Sequence, residues 1–268
     1  MERVMISDSH LHTSFSTDSD AEPEAVIEAA IRAGMTNLCI TDHYDPDYPT
    51  GEFMIDPASY WEEMSRLREK YRGTIDVRIG IEIGLLPDHH DPILEIAESE
   101  PFDYVIGSVH VMDGLDPYYR DQFRGTDAEM YRRYFEVMLE DLRRTDGYQA
   151  LGHLDYVVRY GYEKDREYSY ERFQDVIDPI LREIVDRKIA LEVNTAGLTK
   201  GMAWPNPHPD VIRRYLELGG TMITLGSDAH DAGVGAEFDR VLPMLRELGV
   251  EEITEFYGKK PVPVKLDR

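Results

Sequence analysis

The chain has 268 residues, a length that one α/β barrel commonly fills without dividing, so a single domain over residues 1–268 is expected. It carries 53 acidic against 29 basic side chains, a formal net charge of −24 with no basic stripe, which argues against nucleic acid as a partner. No apolar run reaches the roughly 18 residues of a membrane span, and the first residues lack the apolar stretch of a secretion signal. Cys39 is the only cysteine, so no internal disulfide can form and a cytoplasmic home is expected.

Along the chain, short β-branched segments alternate with longer stretches of helical periodicity. Strands are expected at residues 4–8, 36–41, 77–82, 104–108, 150–153, 190–194 and 222–226. Helices are expected at residues 23–33, 58–71, 92–98, 128–143, 170–186, 209–218 and 237–248. Pro23 opens the first helix, and Gly34, Gly219 and Gly249 stand where helices should stop. Seven β/α units in strict order predict an α/β fold, a parallel sheet closed or nearly closed into a distorted seven-stranded barrel. A doubly wound open sheet is the alternative.

Six of the nine histidines fall at or just after a predicted strand end. The first strand runs into Asp8-Ser9-His10-Leu11-His12, with Asp18 close behind, and the second ends in Thr41-Asp42-His43. Glu82 ends the third, His110 follows the fourth, and His153 and Asp155 follow the fifth. Glu192 and Asn194 close the sixth, and Asp228 and His230 follow the seventh. In a β/α barrel such ends converge on one face. Side chains at i and i+2 of an extended strand share a face, so His10 and His12 can reach one ion, as can Asp228 and His230. A lone strand-end histidine is more often a hydrogen-bonded structural residue, but six with three carboxylates on one face point to a metal site. Imidazole and carboxylate without thiolate suit zinc, manganese or iron alike. His89 and His90 read instead as a polar surface loop, and His208, between two prolines, as a turn or helix start.

These motifs, together with Glu192-Val193-Asn194-Thr195-Ala196-Gly197 and the C-terminal Ile253-Thr254-Glu255-Phe256, resemble the polymerase and histidinol phosphatase superfamily. Within it they resemble the histidinol phosphate phosphatases. The resemblance implies a distorted seven-stranded (βα) barrel holding three divalent ions. One ion would take His10, His12, Glu82 and Asp228; a second Glu82, His110 and His153; the third Asp18, His43 and His230. Asp42, Asp155, Glu192 and Asn194 would orient ligands or hold strand ends, with Asp42 also a catalytic candidate. Arg159 and Lys200 are the candidates for contacting substrate, Arg159 through its bidentate fork. Relatives often carry an arginine soon after Asn-Thr-Ala-Gly, whereas this chain reads Leu198-Thr199-Lys200.

The implied reaction is hydrolysis of a small phosphomonoester, histidinol phosphate first and a nucleotide or sugar phosphate as the alternative. Three dications outweigh three carboxylates, so the pocket would be cationic within an acidic protein, suited to a phosphate at one end and an amine at the other. A non-catalytic metal-bearing module, an exonuclease and an amidohydrolase are the rivals. All nine ligand positions being filled speaks against the first, the lack of a basic groove against the second, and Glu82 in place of a mid-barrel lysine against the third.

Overall fold

The computed structural model describes residues 6–266 apart from Asp47, Pro87 and His89. In chain order the elements are α1 (Pro23–Arg32), β1 (Asn37–Ile40), β2 (His43–Tyr44), α2 (Pro57–Lys70), β3 (Asp76–Gly84), α3 (His90–Ser99), β4 (Tyr104–Ser108) and α4 (Asp127–Arg144). There follow β5 (Ala150–Leu151), α5 (Lys164–Glu167), α6 (Tyr170–Arg187), β6 (Ala190–Asn194), α7 (Ala196–Thr199), α8 (Pro209–Glu217), β7 (Ile223–Gly226), α9 (Phe238–Glu247), β8 (Glu252–Tyr257) and β9 (Lys260–Lys265).

Local chemistry fixes the helix starts. Thr126 and Glu129 form a reciprocal capping box on α4, the Asp56 side chain accepts from the Ser59 amide at the head of α2, and Ser169 caps α6. Gly34 takes a left-handed φ of 79° directly after α1, as its position in the sequence suggests. The expected helices differ from those observed by one or two residues at their ends.

The parallel sheet runs β1-β3-β4-β5-β6-β7, with β2 continuing β1 along the same edge of β3. Segment 8–12 closes it. On one side Asp8 and Leu11 accept from the amides of Cys39 and Thr41; on the other, Ser9 donates to Leu225, His12 to Ala229, and Asp228 to His10. This segment is the seventh stave, so the sheet curls into a distorted barrel and the doubly wound alternative is excluded. The predicted first strand falls partly on residues 4 and 5, outside the described residues.

One antiparallel hairpin, β8 with β9, was not anticipated as strands. It covers the N-terminal end of the barrel, where Phe256 joins Cys39, Tyr104, Ile106, Ala150 and Ala190 in a second buried apolar cluster. Phe256 stacks on Tyr104 with ring centroids 5.1 Å apart. Pro261 and Pro263 lie in β9, an edge strand that tolerates the loss of their amide donors. With that end filled, the open end is the C-terminal one, to which the strand-end histidines belong. Among the described residues, no helix is long and apolar enough to cross a membrane.

Candidate metal centre

The first stave brings His10 and His12 inward because Asp8 clamps it to the strand opposite. Asp8 accepts from the Ser227 amide at 2.9 Å and from the Gly235 amide at 2.8 Å. Gly226 packs against His10 so closely that a Cβ there would overlap the His10 side chain. Asp228 follows with a positive φ of 55°, a conformation that aspartate adopts more readily than most residues, and this turns its carboxylate into the barrel mouth.

The His10 Nε2 atom lies 3.0 Å from His12 Nε2, 3.1 Å from Glu82 Oε2 and 3.7 Å from Asp228 Oδ1. His12 Nε2 lies 3.4 Å from each of those carboxylate oxygens. Beside this group, Glu82 Oε1 is 3.3 Å from His110 Nε2 and 3.0 Å from His153 Nε2, and the two imidazole nitrogens are 3.4 Å apart. Ligand atoms about 2.0–2.1 Å from a tetrahedral zinc stand about 3.3 Å from one another, so both groups have the spacing of a cation shell. The two oxygens of Glu82 face different groups, as a bridging carboxylate would.

A third group is looser. Asp18 Oδ2 lies 3.0 Å from His230 Nε2 and 3.9 Å from His43 Nε2, and the Asp18 side chain is 42% exposed. The His43 and His230 rings each stack on His12 at 4.2 Å, with their own centroids 5.7 Å apart. All nine expected ligand residues therefore meet at the C-terminal mouth.

Several contacts fit cations better than hydrogen bonds. His43 Nδ1 and Glu82 Oε2 are 3.1 Å apart, yet both are buried without an aligned hydrogen-bond partner. An all-nitrogen-and-oxygen donor set of this kind fits divalent zinc, manganese or iron. Burial disfavours charge throughout, but Glu192, Glu82 and Asp228 outweigh it and hold the His10 pKa well above the ordinary value. His43, buried beside Glu82, Asp45 and Asp18, is pushed up to about 9. Burial and the neighbouring His43 and His230 drive His12 the opposite way. Glu82, despite its burial, is held well below the usual carboxylate range by His10, His110 and His43.

The surrounding groups fall into distinct tasks. Glu192 holds His10 Nδ1 at 2.5 Å and accepts from the His153 amide at 2.7 Å. Asn194 donates to Glu192 and accepts from Arg159 at 2.8 Å. Arg159 is buried, not a solvated surface arginine: it also donates to Asn206 at 2.7 Å and to Asp228 Oδ2 at 3.0 Å. This leaves Asp228 Oδ1 for the first group. Asp155 is taken up by Asn206 and by the His208 amide, and His208 caps α8, the helix start its prolines suggest.

A catalytic part for Asp42 needs correcting. It is fully buried, off the cavity wall, and its oxygens accept from the Thr13 amide, the Thr13 hydroxyl and Ser16. Ser16 in turn meets His12 Nδ1 at 3.2 Å, so Asp42 reaches the site only by shaping the 13–16 turn. His89 lies outside the described residues, and His90 opens α3.

Above these groups lies a cavity of about 420 Å³. Arg159 and the exposed Lys200 line it together with His43, His110, His153, Asp228 and His230. Sequence reasoning missed the rest of the wall. Tyr156 lies 4.8 Å from the His153 ring, Tyr160 5.0 Å from Tyr156, Tyr118 5.5 Å from Tyr160 and Tyr119 5.1 Å from Tyr118, an aromatic path from the histidines to the rim. Asp116 stands beside it, accepting from Tyr48 at 2.5 Å and from the Tyr118 amide at 2.8 Å. Asp45 was missed as well, although it stands two residues beyond His43 on an extended segment and so shares its face.

Residues 8–196 match the family described as PHP domain. A probable histidinol-phosphatase of Clostridium acetobutylicum is 37% identical, the alignment covering 96% of this chain and 98% of the relative. A histidinol-phosphatase of Lactococcus lactis is 30% identical, with 94% and 95% covered. The crystal structure of a Lactococcus lactis histidinol phosphate phosphatase, complexed with zinc, L-histidinol and phosphate, superposes with a TM-score of 0.88 at 28% identity, covering 97% of this chain and 100% of that one. The chain belongs to the PHP domain family.

Proposed function

We propose that this chain is a metal-dependent phosphomonoesterase that hydrolyses L-histidinol phosphate to L-histidinol and phosphate. The single observation that carries the reading is the double-sided carboxylate: Glu82 presents one oxygen to His10 and His12 and the other to His110 and His153. Full-length relatives named for this activity, and one whose solved complex holds zinc, L-histidinol and phosphate, support it.

The first ion would be held by His10, His12, Glu82 and Asp228, the second by Glu82, His110 and His153, and the third by Asp18, His43 and His230. When bound, divalent ions neutralise phosphoryl oxygens and lower the pKa of water, which is the chemistry a phosphate ester needs. Arg159, fixed by Asn194, Asn206 and Asp228, keeps N–H groups free beyond the three it uses, and can meet a phosphoryl oxygen without paying the entropy of ordering. Lys200 at the rim adds an exposed positive charge in place of a second planar fork. The aromatic path and Asp116 suit a leaving alcohol bearing a heteroaromatic ring and an amine.

The test is phosphate release from L-histidinol phosphate beside a nucleotide and a sugar phosphate, using metal-stripped protein and protein reconstituted with zinc, manganese or iron. The reading expects turnover only after reconstitution, and highest kcat/KM on histidinol phosphate. Equal turnover of all three esters would defeat the substrate assignment, and undiminished turnover after stripping would defeat the metal assignment.

A further inference from the structure

We propose that Asp45 is a positioning residue that fixes His110 and His43 together and so couples the second and third cation sites. The inference rests on the metal reading above and adds a residue to it. Asp45 is 3% exposed and belongs to none of the three ligand groups. Its Oδ1 lies 2.7 Å from His110 Nδ1, and its Oδ2 lies 3.5 Å from His43 Nδ1.

The first contact sets a tautomer. A carboxylate oxygen only accepts, so His110 Nδ1 carries the proton. The lone pair is then left on Nε2, the atom that faces Glu82 Oε1 at 3.3 Å and His153 Nε2 at 3.4 Å. The second contact limits rotation of the His43 ring, whose Nε2 faces Asp18.

The sheet places Asp45 for this task. His43 pairs with Glu82 and Tyr44 with Ile83, so the register carries Asp45 to the level of Gly84. A Cβ at Gly84 would run into the Asp45 carboxylate. The Asp45 amide donates to the Phe53 carbonyl at 2.7 Å and its carbonyl accepts from Tyr48 at 3.2 Å, so the backbone position does not depend on the side chain. Two strand pairs thus assemble one unit: His43 and Glu82 as ligands, then Asp45 seated over a glycine.

The experiment compares wild type, Asp45→Ala, Asp45→Asn and Gly84→Ala by zinc content after dialysis and by competition with a chromophoric chelator. Folding is checked by circular dichroism, and phosphate release is recorded against added zinc. For Asp45→Ala we expect zinc affinity about 10–100-fold weaker at two of three sites, with turnover recovering at high zinc. Asp45→Asn, which keeps an oxygen for His110, should lose less. Gly84→Ala should resemble Asp45→Ala without altering any ligand. If wild type loads three ions and Asp45→Asn and Asp45→Ala load them as tightly, the inference is overturned while the metal reading stands. If wild type itself takes up no zinc, both fall.

Discussion

At the N-terminal end of the barrel Arg78 is 1% exposed, and the protein supplies its partners: the hydroxyls of Ser7 and Ser9, the Asn37 side chain at 2.9 Å and the Phe256 carbonyl, with Glu255 3.7 Å away. At the C-terminal end Glu82 is equally buried, but five histidines crowd its two oxygens and one of those oxygens has no aligned donor. In the first arrangement the protein supplies partners to both terminal guanidinium nitrogens and leaves Arg78 Nε without one. The second balances only when protons or cations stand among the rings, which is how a binding site differs from a buried ion pair. Away from both ends, Asp141 on α4 shows what a buried carboxylate does with neither solution available. Its side-chain oxygens lack partners, and burial pushes its pKa up to about 8, so it stays largely protonated at neutrality.

The strongest way to break the contrast is to remove candidate ligands at the open end. Replacing both His12 and Asp228 by alanine should lower kcat/KM roughly 10⁴-fold, in a chain that keeps its circular dichroism spectrum. Arg78→Ala should do the reverse, costing about 3–5 kcal/mol in urea unfolding while the folded fraction keeps its kcat. Glu192→Gln, which weakens the hold on His10 Nδ1, should cost about 10–100-fold in zinc affinity, read by chelator competition.

The pH dependence sharpens the same comparison. In the metal-free protein the raised pKa of His43 contributes stability below its unfolded value near 6.5, and that stability is lost as pH rises through about 9. A cation competes with the same proton, so zinc affinity should move the other way and tighten over that interval, as isothermal titration at several pH values can check. Asp141 tests the same linkage away from both barrel ends. Its raised pKa means that stability is fully present below about 3.8 and falls as pH rises toward about 8. In Asp141→Asn that portion of the decline should disappear from melting curves recorded between pH 5 and 8.

The convergence of the nine candidate ligands was legible because most of them stand at or near the end of a strand whose β-branched run is easy to see, and because barrel topology brings strand ends together. His10-x-His12 carries its geometry in its spacing, whereas Asp228 takes a left-handed φ and joins the first group while His230 faces Asp18, so the extended-strand rule does not describe that pair. Asp45 was not read, since its significance depends on His110, 65 positions away, and on a glycine opposite it. Asp116, Tyr118 and Tyr119 sit in a loop whose path no periodicity encodes, so their place on the cavity wall emerges only once the chain is folded. The β8–β9 hairpin escaped for a related reason: its prolines disguise an edge strand. Asp42 erred in the opposite direction, because its neighbour His43 points into the mouth while Asp42, one residue earlier, points to the other side.

Anomalous diffraction from crystals grown with zinc tests the shared-cation claim most directly. One peak is expected on each side of the Glu82 carboxylate and a third among Asp18, His43 and His230. Zinc peaks confined to surface histidines, with none touching Glu82, would contradict it.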